Sequence, residues 1–143
     1  MLSYFHWEIC IPTSSYLTEL LLPLAILASD EQYGVSIVNF RRVKEEMHTT
    51  VKGMMNIGLQ EESMMQVAPS IMACSILMAS RSVCCLSPCW PLNLQTFTGY
   101  NIDQLQSLTG SLVSLHKLLG EDELVVDEGY HSNLSVGYSP EKN

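Results

Sequence analysis

The sequence contains few positively charged side chains. Its 143 residues include 7 Lys and Arg against 15 Asp and Glu, and the formal net charge is −8. Proteins that bind nucleic acid neutralise phosphates with clustered Lys and Arg, so this composition excludes nucleic acid as the main partner. The tightest basic group, formed by Arg41, Arg42 and Lys44, is too small for such an interface.

The sequence also lacks an apolar run of the roughly 20 residues that a membrane-spanning helix requires. Pro23 interrupts the stretch Leu20–Ala28, and Gln66 and Pro69 interrupt Met64–Ala79. The N-terminus, MLSYFHWEIC, has no basic flank followed by an apolar segment, so no secretory signal is predicted. We therefore expect no membrane partner, and a membrane-spanning protein is only a third hypothesis.

The cysteines follow no metal-binding or disulfide pattern. There are five of them, an odd number that with no predicted signal indicates a reducing compartment and free thiols. Three lie close together, but they form no CxxC pair and a fourth metal ligand is missing. We expect all five to be buried as small apolar side chains, with no metal: Cys10, Cys74, Cys84, Cys85 and Cys89.

No catalytic motif is present. The sequence has no phosphate-binding glycine loop, HExxH or GxSxG motif. His116 could pair with a cysteine thiolate, but nothing nearby in the sequence supports such a pair. The histidines are scattered over different segments: His6, His48, His116 and His131. The chain is therefore predicted not to be an enzyme, with no catalytic, cofactor-binding or metal-ligating residue and no cofactor.

The composition, 47% hydrophobic and 15% charged, is that of a single globular domain. Residues 1–9 are typical of the end of a helix, and Pro12 stops that run. Thr13, Ser14 or Ser15 is predicted to cap the next helix, in which Pro23 predicts a kink or an early end. Residues 29–39 are predicted to form a loop, with a short apolar turn at Val35–Val38.

The middle of the chain predicts two further helices. The spacing of Val43, Met47, Val51, Met54 and Ile57 predicts a helix over residues 40–58, ended by a glycine. A short turn over residues 59–66 follows. Next comes a central helix from residue 69 to 83 or 84, whose small side chains allow close helix packing. Four methionines could instead serve an adaptable peptide-binding surface, although core packing is the preferred interpretation: Met54, Met55, Met64 and Met65.

Two more helices are predicted before an acidic tail. Trp90-Pro91 begins a short helix that ends near Phe97, before Gly99. Asn101 and Gln104 are spaced as a reciprocal cap for the last helix, which Gly120 is predicted to end. The apolar stripe of that helix has steps of three or four residues: Ile102, Leu105, Leu108, Leu112, Leu115 and Leu119.

Several motifs resemble those of the cyclin family. The segment Trp7-Glu8-Ile9-Cys10-Ile11-Pro12-Thr13 resembles the junction between the two helical repeats of a cyclin. The segment from Ala68-Pro69-Ser70 through Arg81, then Trp90-Pro91, then Thr98-Gly99-Tyr100, resembles the third to fifth helices of the C-terminal repeat. Further dipeptides and tripeptides are most similar to the cyclin-J and cyclin-J-like group: Leu59-Gln60, Ser80-Arg81 and Leu86-Ser87-Pro88.

This resemblance implies an all-α fold, a five-helix cyclin-like bundle. The implied helices are Thr13–Ala28, Arg41–Gly58, Pro69–Val83, Pro91–Phe97 and Asn101–Leu119. It also implies three segments: residues 1–12 as the end of an N-terminal repeat, 13–119 as the C-terminal cyclin domain and 120–143 as a disordered tail.

The implied function is that of a regulatory subunit that binds a cyclin-dependent protein kinase in cell-cycle control, in the nucleus, the cytoplasm or both. The family's kinase-activating surface lies mainly in the N-terminal repeat, so we expect a truncated form with weak or no activation. The aromatic side chains of Tyr4, Phe5 and Trp7 could then mediate self-association. The alternative is a helical scaffold or competitor that does not regulate a kinase.

Overall fold

The computed structural model describes the backbone of residues 12–136 and the side chains of residues 12–120. Within that part of the chain there are five helices, as the sequence predicted, together with a small sheet. The helices are α1 (Ser14–Leu21), α2 (Phe40–Gln60), α3 (Pro69–Val83), α4 (Leu92–Thr98) and α5 (Ile102–Val136). The strands are β1 (Glu31–Gln32), β2 (Val35–Ser36) and β3 (Leu86–Ser87).

Helix α3 lies at the centre of the bundle, and α1, α2 and α5 all pack against it. Pro69 occupies its first turn, where the missing N–H would have no helical partner. Every residue from 72 to 81 is buried, including the small residues Ala73, Ser75 and Ala79. Small side chains let the neighbouring helices approach α3 closely, so the prediction of a central helix from residue 69 to 83 is confirmed.

Helix α1 is shorter than the resemblance implied. The Thr13 side chain caps it by accepting a hydrogen bond from the Tyr16 N–H at 3.2 Å. The helix ends at Leu21, and Pro23 lies in the 3₁₀ turn Leu22–Leu24 that follows. The implied end at Ala28 is therefore wrong, whereas the early end predicted from Pro23 is confirmed, because proline removes a helical donor and clashes with the preceding turn.

Helix α2 buries the five predicted apolar positions, and Asn39 caps it by accepting from the Arg42 N–H at 3.1 Å. Its end was predicted wrongly, since the helix continues through Gly58 to Gln60. A Cβ placed on Gly58 would lie 3.5 Å from the Met72 sulfur, so this residue faces α3 from within the helix. The predicted helical turn after α2 is present as the 3₁₀ segment Glu62–Met64.

Helices α4 and α5 begin and pack largely as predicted. Gly99 ends α4 with φ +77°, a left-handed conformation that glycine adopts without steric cost. The Gln104 side chain accepts from the Asn101 N–H at 2.9 Å at the start of α5. Leu105 and Leu112 of the predicted stripe are fully buried, whereas its end members, Ile102 and Leu119, are exposed.

Helix α5 does not end at Gly120 as predicted. Its backbone stays helical to Val136. A glycine in a helix interior costs only about 1 kcal/mol relative to alanine, so Gly120 alone does not end the helix. The predicted tail began at residue 120, and its residues 120–136 have a helical backbone, while residues 137–143 lie outside the described part of the chain.

Residues 29–39 were predicted to form a loop, but they contain a β-hairpin. Strand β1 lies between β2 and β3, and both pairings are antiparallel. Tyr33 and Gly34 connect β1 to β2 with φ values of 53° and 76°, as a two-residue type I′ turn requires. Strands of two residues are too short to show an alternating pattern, so hydrophobic periodicity could not reveal them.

The segment from Trp7 to Ile11 that resembled a cyclin repeat junction lies outside the described residues, as do Tyr4, Phe5 and Cys10. Among the described residues, no helix is both long and apolar enough to cross a membrane.

Candidate functional site

Three of the sequence motifs meet in one packed cluster on α3 and α4. The indole N–H of Trp90 donates a hydrogen bond to the Tyr100 carbonyl at 2.9 Å. The Tyr100 hydroxyl lies 2.8 Å from the Ser70 hydroxyl in the first turn of α3. The Trp-Pro, Thr-Gly-Tyr and Ala-Pro-Ser motifs, which are distant in sequence, therefore join the start of α3 to both ends of α4.

A buried ion pair holds the other end of α3. Arg81 and Asp30 are almost inaccessible, with side-chain exposures of 0% and 1%. The Arg81 Nη1 donates to Asp30 Oδ2 at 2.8 Å and also to the Ala25 carbonyl. Its Nε and Nη2 donate to the Pro88 carbonyl at 3.2 and 2.6 Å. One guanidinium thus connects α3, the segment after α1 and the segment after β3.

Asp30 contributes to the same connection from the other side. Its Oδ2 accepts a hydrogen bond from the Leu27 N–H at 2.7 Å, while Oδ1 is buried and has no partner among the described residues. Next to it, Gln32 of β1 donates to the Cys84 carbonyl at 3.2 Å and to Glu46 of α2 at 3.3 Å. This set of polar contacts fixes the hairpin against α2 and α3.

This pair was not predicted from the sequence. The spacing and motifs predicted only that Arg81 lies in the central helix and that residue 30 lies in a loop. The available signal was Arg81 itself, a single charge among the apolar and small residues of the predicted central helix, where the structure buries every residue from 72 to 80 before it. A charged side chain in such surroundings requires an ionic partner. The sequence did not show which of the acidic residues that partner is.

The cysteines do not form a reactive centre among the described residues. Cys74 and Cys84 are buried and Cys89 is partly buried, and burial raises the pKa of each of these thiols. A raised pKa keeps a thiol neutral, and the thiolate is the nucleophilic form. Cys85 is exposed, so the prediction that all the cysteines are buried is wrong there. Its φ of 55° places it in the turn between α3 and β3.

The remaining candidate residues are dispersed. His48 is exposed on α2, and the His116 ring of α5 lies against Gly53 of α2. The side chains of His6 and His131 lie outside the described residues. Within the described residues no three His, Cys, Asp or Glu side chains are grouped as metal ligands.

Two surface grooves in the described part of the chain have largely apolar linings. The first, which we call the α2 groove, is about 360 Å³ in volume and lies between α2 and the segment after α1. Its lining residues are Leu22, Ile26, Arg41, Lys44, Glu45 and His48.

The second groove, the methionine groove, is about 320 Å³ and lies between the start of α1 and the α2–α3 connection. Met64 and Met72 on its floor are buried, whereas Met65 and Leu59 on its rim are 70% and 60% exposed. Of the four methionines considered for a peptide-binding surface, Met54 and Met64 are in the core, Met55 is partly buried and only Met65 is exposed.

Comparison with known proteins gives a match to a protein family. The family model described as "Cyclin, C-terminal domain" matches residues 35–137 of the chain. The chain is 28% identical over 133 residues to Cyclin-J of Xenopus laevis, an alignment that covers 93% of this chain and 33% of that protein.

Two further relatives are similarly distant. The chain is 24% identical over 127 residues to the Cyclin-J-like protein of Mus musculus, covering 88% of the chain and 33% of the relative. It is 29% identical over 82 residues to a G2/mitotic-specific cyclin of Glycine max, covering 57% of the chain and 32% of the relative. The chain therefore spans about a third of the length of the curated relatives it matches. No solved structure matches it at a comparable level of significance.

Proposed function

Because this chain belongs to the cyclin family, with the family's C-terminal domain over residues 35–137, we propose that it is a non-catalytic regulatory subunit that binds a cyclin-dependent protein kinase. The observation that carries the proposal is the match over most of the chain to a domain of a regulatory family. The name of the G2/mitotic-specific relative further supports a role in cell-cycle control. Such a role is compatible with the nucleus, the cytoplasm or both.

The structure supports a binding protein in two respects. Several of its buried or partly buried polar groups hold elements together, as in the Arg81–Asp30 pair and the Trp90–Tyr100–Ser70 contacts. Its grooves have largely apolar linings, which suit contacts with another protein. The domain it matches is the second of the two repeats that the resemblance implies, so we expect kinase binding to be easier to detect than kinase activation.

The test is direct binding of the purified chain to a panel of cyclin-dependent kinases by surface plasmon resonance, together with each kinase's phosphotransfer rate. Saturable binding to at least one kinase, with little or no change in rate, is the expected result. If no kinase on the panel binds and no rate changes, the proposal fails for this chain.

A second candidate function is a protein-interaction scaffold or competitor that does not regulate a kinase. The observation that favours it is the methionine groove, since exposed Leu59 and Met65 beside buried methionines form an adaptable apolar surface. Self-association through Tyr4, Phe5 and Trp7 remains part of this proposal. Competition with a longer cyclin for its kinase tests this function. Displacement of the cyclin supports a competitor, whereas a chain that neither displaces the cyclin nor binds another stable partner leaves the second function unsupported. Sedimentation velocity with a Phe5→Ser and Trp7→Ser variant tests the self-association.

A further inference from the structure

The α2 groove combines an apolar floor with a basic rim, although the chain as a whole is acidic. Leu22 is partly buried and Ile26 is 8% exposed, and both present apolar surface to the groove. Arg41, Lys44 and His48 line the opposite wall and are exposed. An apolar floor beside positive charges favours an occupant that has an apolar side chain and negative charges together.

Three of the four Lys and Arg residues of α2, Arg41, Lys44 and Lys52, lie on one face of the helix. Arg41, Lys44, His48 and Lys52 follow one another at steps of three, four and four residues, which places them on one side of a helix. Four of the seven Lys and Arg residues of the chain lie in this helix, in a sequence whose net charge is −8. The groove itself is lined by two positive side chains, Arg41 and Lys44, and one negative side chain, Glu45, so its charge is opposite in sign to that of the molecule as a whole.

We propose that the α2 groove binds an acidic peptide segment of a partner protein, with one apolar side chain of the segment placed on Leu22 and Ile26. Carboxylates that flank this side chain would contact Arg41 and Lys44. The apolar contact would contribute affinity that does not depend on salt, and the carboxylates would contribute specificity and a salt-dependent part. This assignment does not depend on kinase binding.

The proposal also predicts that removing the Glu45 charge affects peptide binding in the opposite direction to reversing a basic charge. Its Oε1 lies 3.1 Å from the Arg41 Nε, and the two side chains are 68% and 90% exposed. Exposed ion pairs of this kind are weak, so an incoming carboxylate can replace Glu45 as the partner of Arg41. Removing the Glu45 charge should therefore strengthen peptide binding, whereas reversing a charge on the basic wall should weaken it.

Arg42 supplies a matched control. It lies in the same turn of α2 but faces the surface beside β2, where it lines a different depression with Val35 and Val38. Arg42→Glu changes the net charge of the chain by the same amount as Lys44→Glu. If α2 attracted anions in general, the two variants would weaken peptide binding equally.

The experiment measures fluorescence anisotropy of labelled acidic peptides bound to the full chain. The peptides carry a single Leu among Asp and Glu residues, and a series varies the spacing between the Leu and the carboxylates. We expect Lys44→Glu to weaken the best peptide about tenfold and Glu45→Gln to strengthen it about twofold, while Arg42→Glu leaves it nearly unchanged. Replacing the peptide Leu by Ser should weaken binding at both low and high salt.

Several outcomes would overturn the proposal. They are the absence of binding by every peptide in the series, equal weakening by Lys44→Glu and Arg42→Glu, and no dependence on the peptide Leu. An oligonucleotide of equal charge that binds as tightly as the peptide would also overturn it, because the groove would then recognise polyanions in general. So would sedimentation showing that the groove is the contact between two copies of the chain. Circular dichroism of each variant confirms that the fold is retained.

Discussion

In the helical core, α3 is enclosed by α1, α2 and α5, and the side chains between the helices are almost all apolar, such as Met47, Leu77 and Leu112. At the hairpin end, β1, β2 and β3 meet the last turn of α3, and the buried contact there is an ion pair between Arg81 and Asp30. Apolar packing depends on volume and accepts similar side chains, whereas a buried guanidinium depends on specific acceptors. The two regions should therefore respond differently to substitution.

The largest effect is expected at the hairpin end. Arg81→Met keeps an unbranched side chain but removes the donors to Asp30, Ala25 and Pro88. Breaking a buried pair by removing one partner leaves an uncompensated charge and typically costs about 3–5 kcal/mol. We expect a loss of that size in the free energy of unfolding, measured by urea denaturation followed by circular dichroism.

Two further variants show whether the pair itself is responsible. Arg42→Met removes an exposed arginine and should change the free energy of unfolding by less than about 0.5 kcal/mol. The double variant Arg81→Met with Asp30→Leu should recover part of the loss, because no charge is then left buried alone. A loss below about 1 kcal/mol for Arg81→Met would mean that the hairpin end is held by its other contacts.

In the helical core, substitutions should lower the free energy of unfolding by a smaller amount, which depends on how deeply the side chain is buried. Leu112 of α5 is fully buried, whereas Leu118 on the same helix is 59% exposed. Leu112→Ala should lower the free energy of unfolding by about 2–3 kcal/mol, since truncation of a buried leucine leaves a cavity. Leu118→Ala is the matched control and should cost less than about 0.5 kcal/mol. Equal losses at the two positions would contradict the placement of α5 against α3.

The same contrast explains what the sequence could predict. The five buried positions of α2 and the start of α3 at Pro69 follow from spacing and backbone rules that act within a few residues. The Thr13 and Gly99 signals are equally local and are confirmed. The reciprocal cap is half confirmed, because the Gln104 side chain accepts from the Asn101 N–H while the Asn101 side chain accepts from Gln95 instead. The motifs likewise predicted the cyclin family, which the match to its C-terminal domain confirms.

The features that were missed depend on residues far apart or on weak local signals. Strand β1 pairs with β3 across more than fifty residues, and Asp30 reaches Arg81 over a similar distance. No periodicity encodes such pairings. The ends at Gly58 and Gly120 were wrong for another reason, because a single glycine lowers helix stability only modestly and does not by itself end a helix. The α2 groove was missed because Leu22 and Ile26 join the basic residues only in the folded chain.

The smallest effect is expected where the two regions meet, at Cys84 after the last turn of α3. The Cys84 thiol is buried, 3.5 Å from the Thr50 hydroxyl, and burial raises its pKa in the folded chain. An unfolded cysteine titrates near pH 8.5. Above that pH the unfolded chain loses this proton before the folded chain does, so the free energy of unfolding falls as the pH rises. Below it the thiol is protonated in both states and contributes no pH dependence.

Urea denaturation at pH values on either side of about 8.5 measures this dependence. Cys84→Ala should be less stable than the unmodified chain at neutral pH, because it loses buried contacts, but should lose less stability on going to alkaline pH. Burial also raises the pKa of the Cys74 and Cys89 thiols, so the variant should flatten the dependence without abolishing it. If the free energy of unfolding fell equally in both proteins at alkaline pH, titration of the Cys84 thiol would make no contribution to the pH dependence.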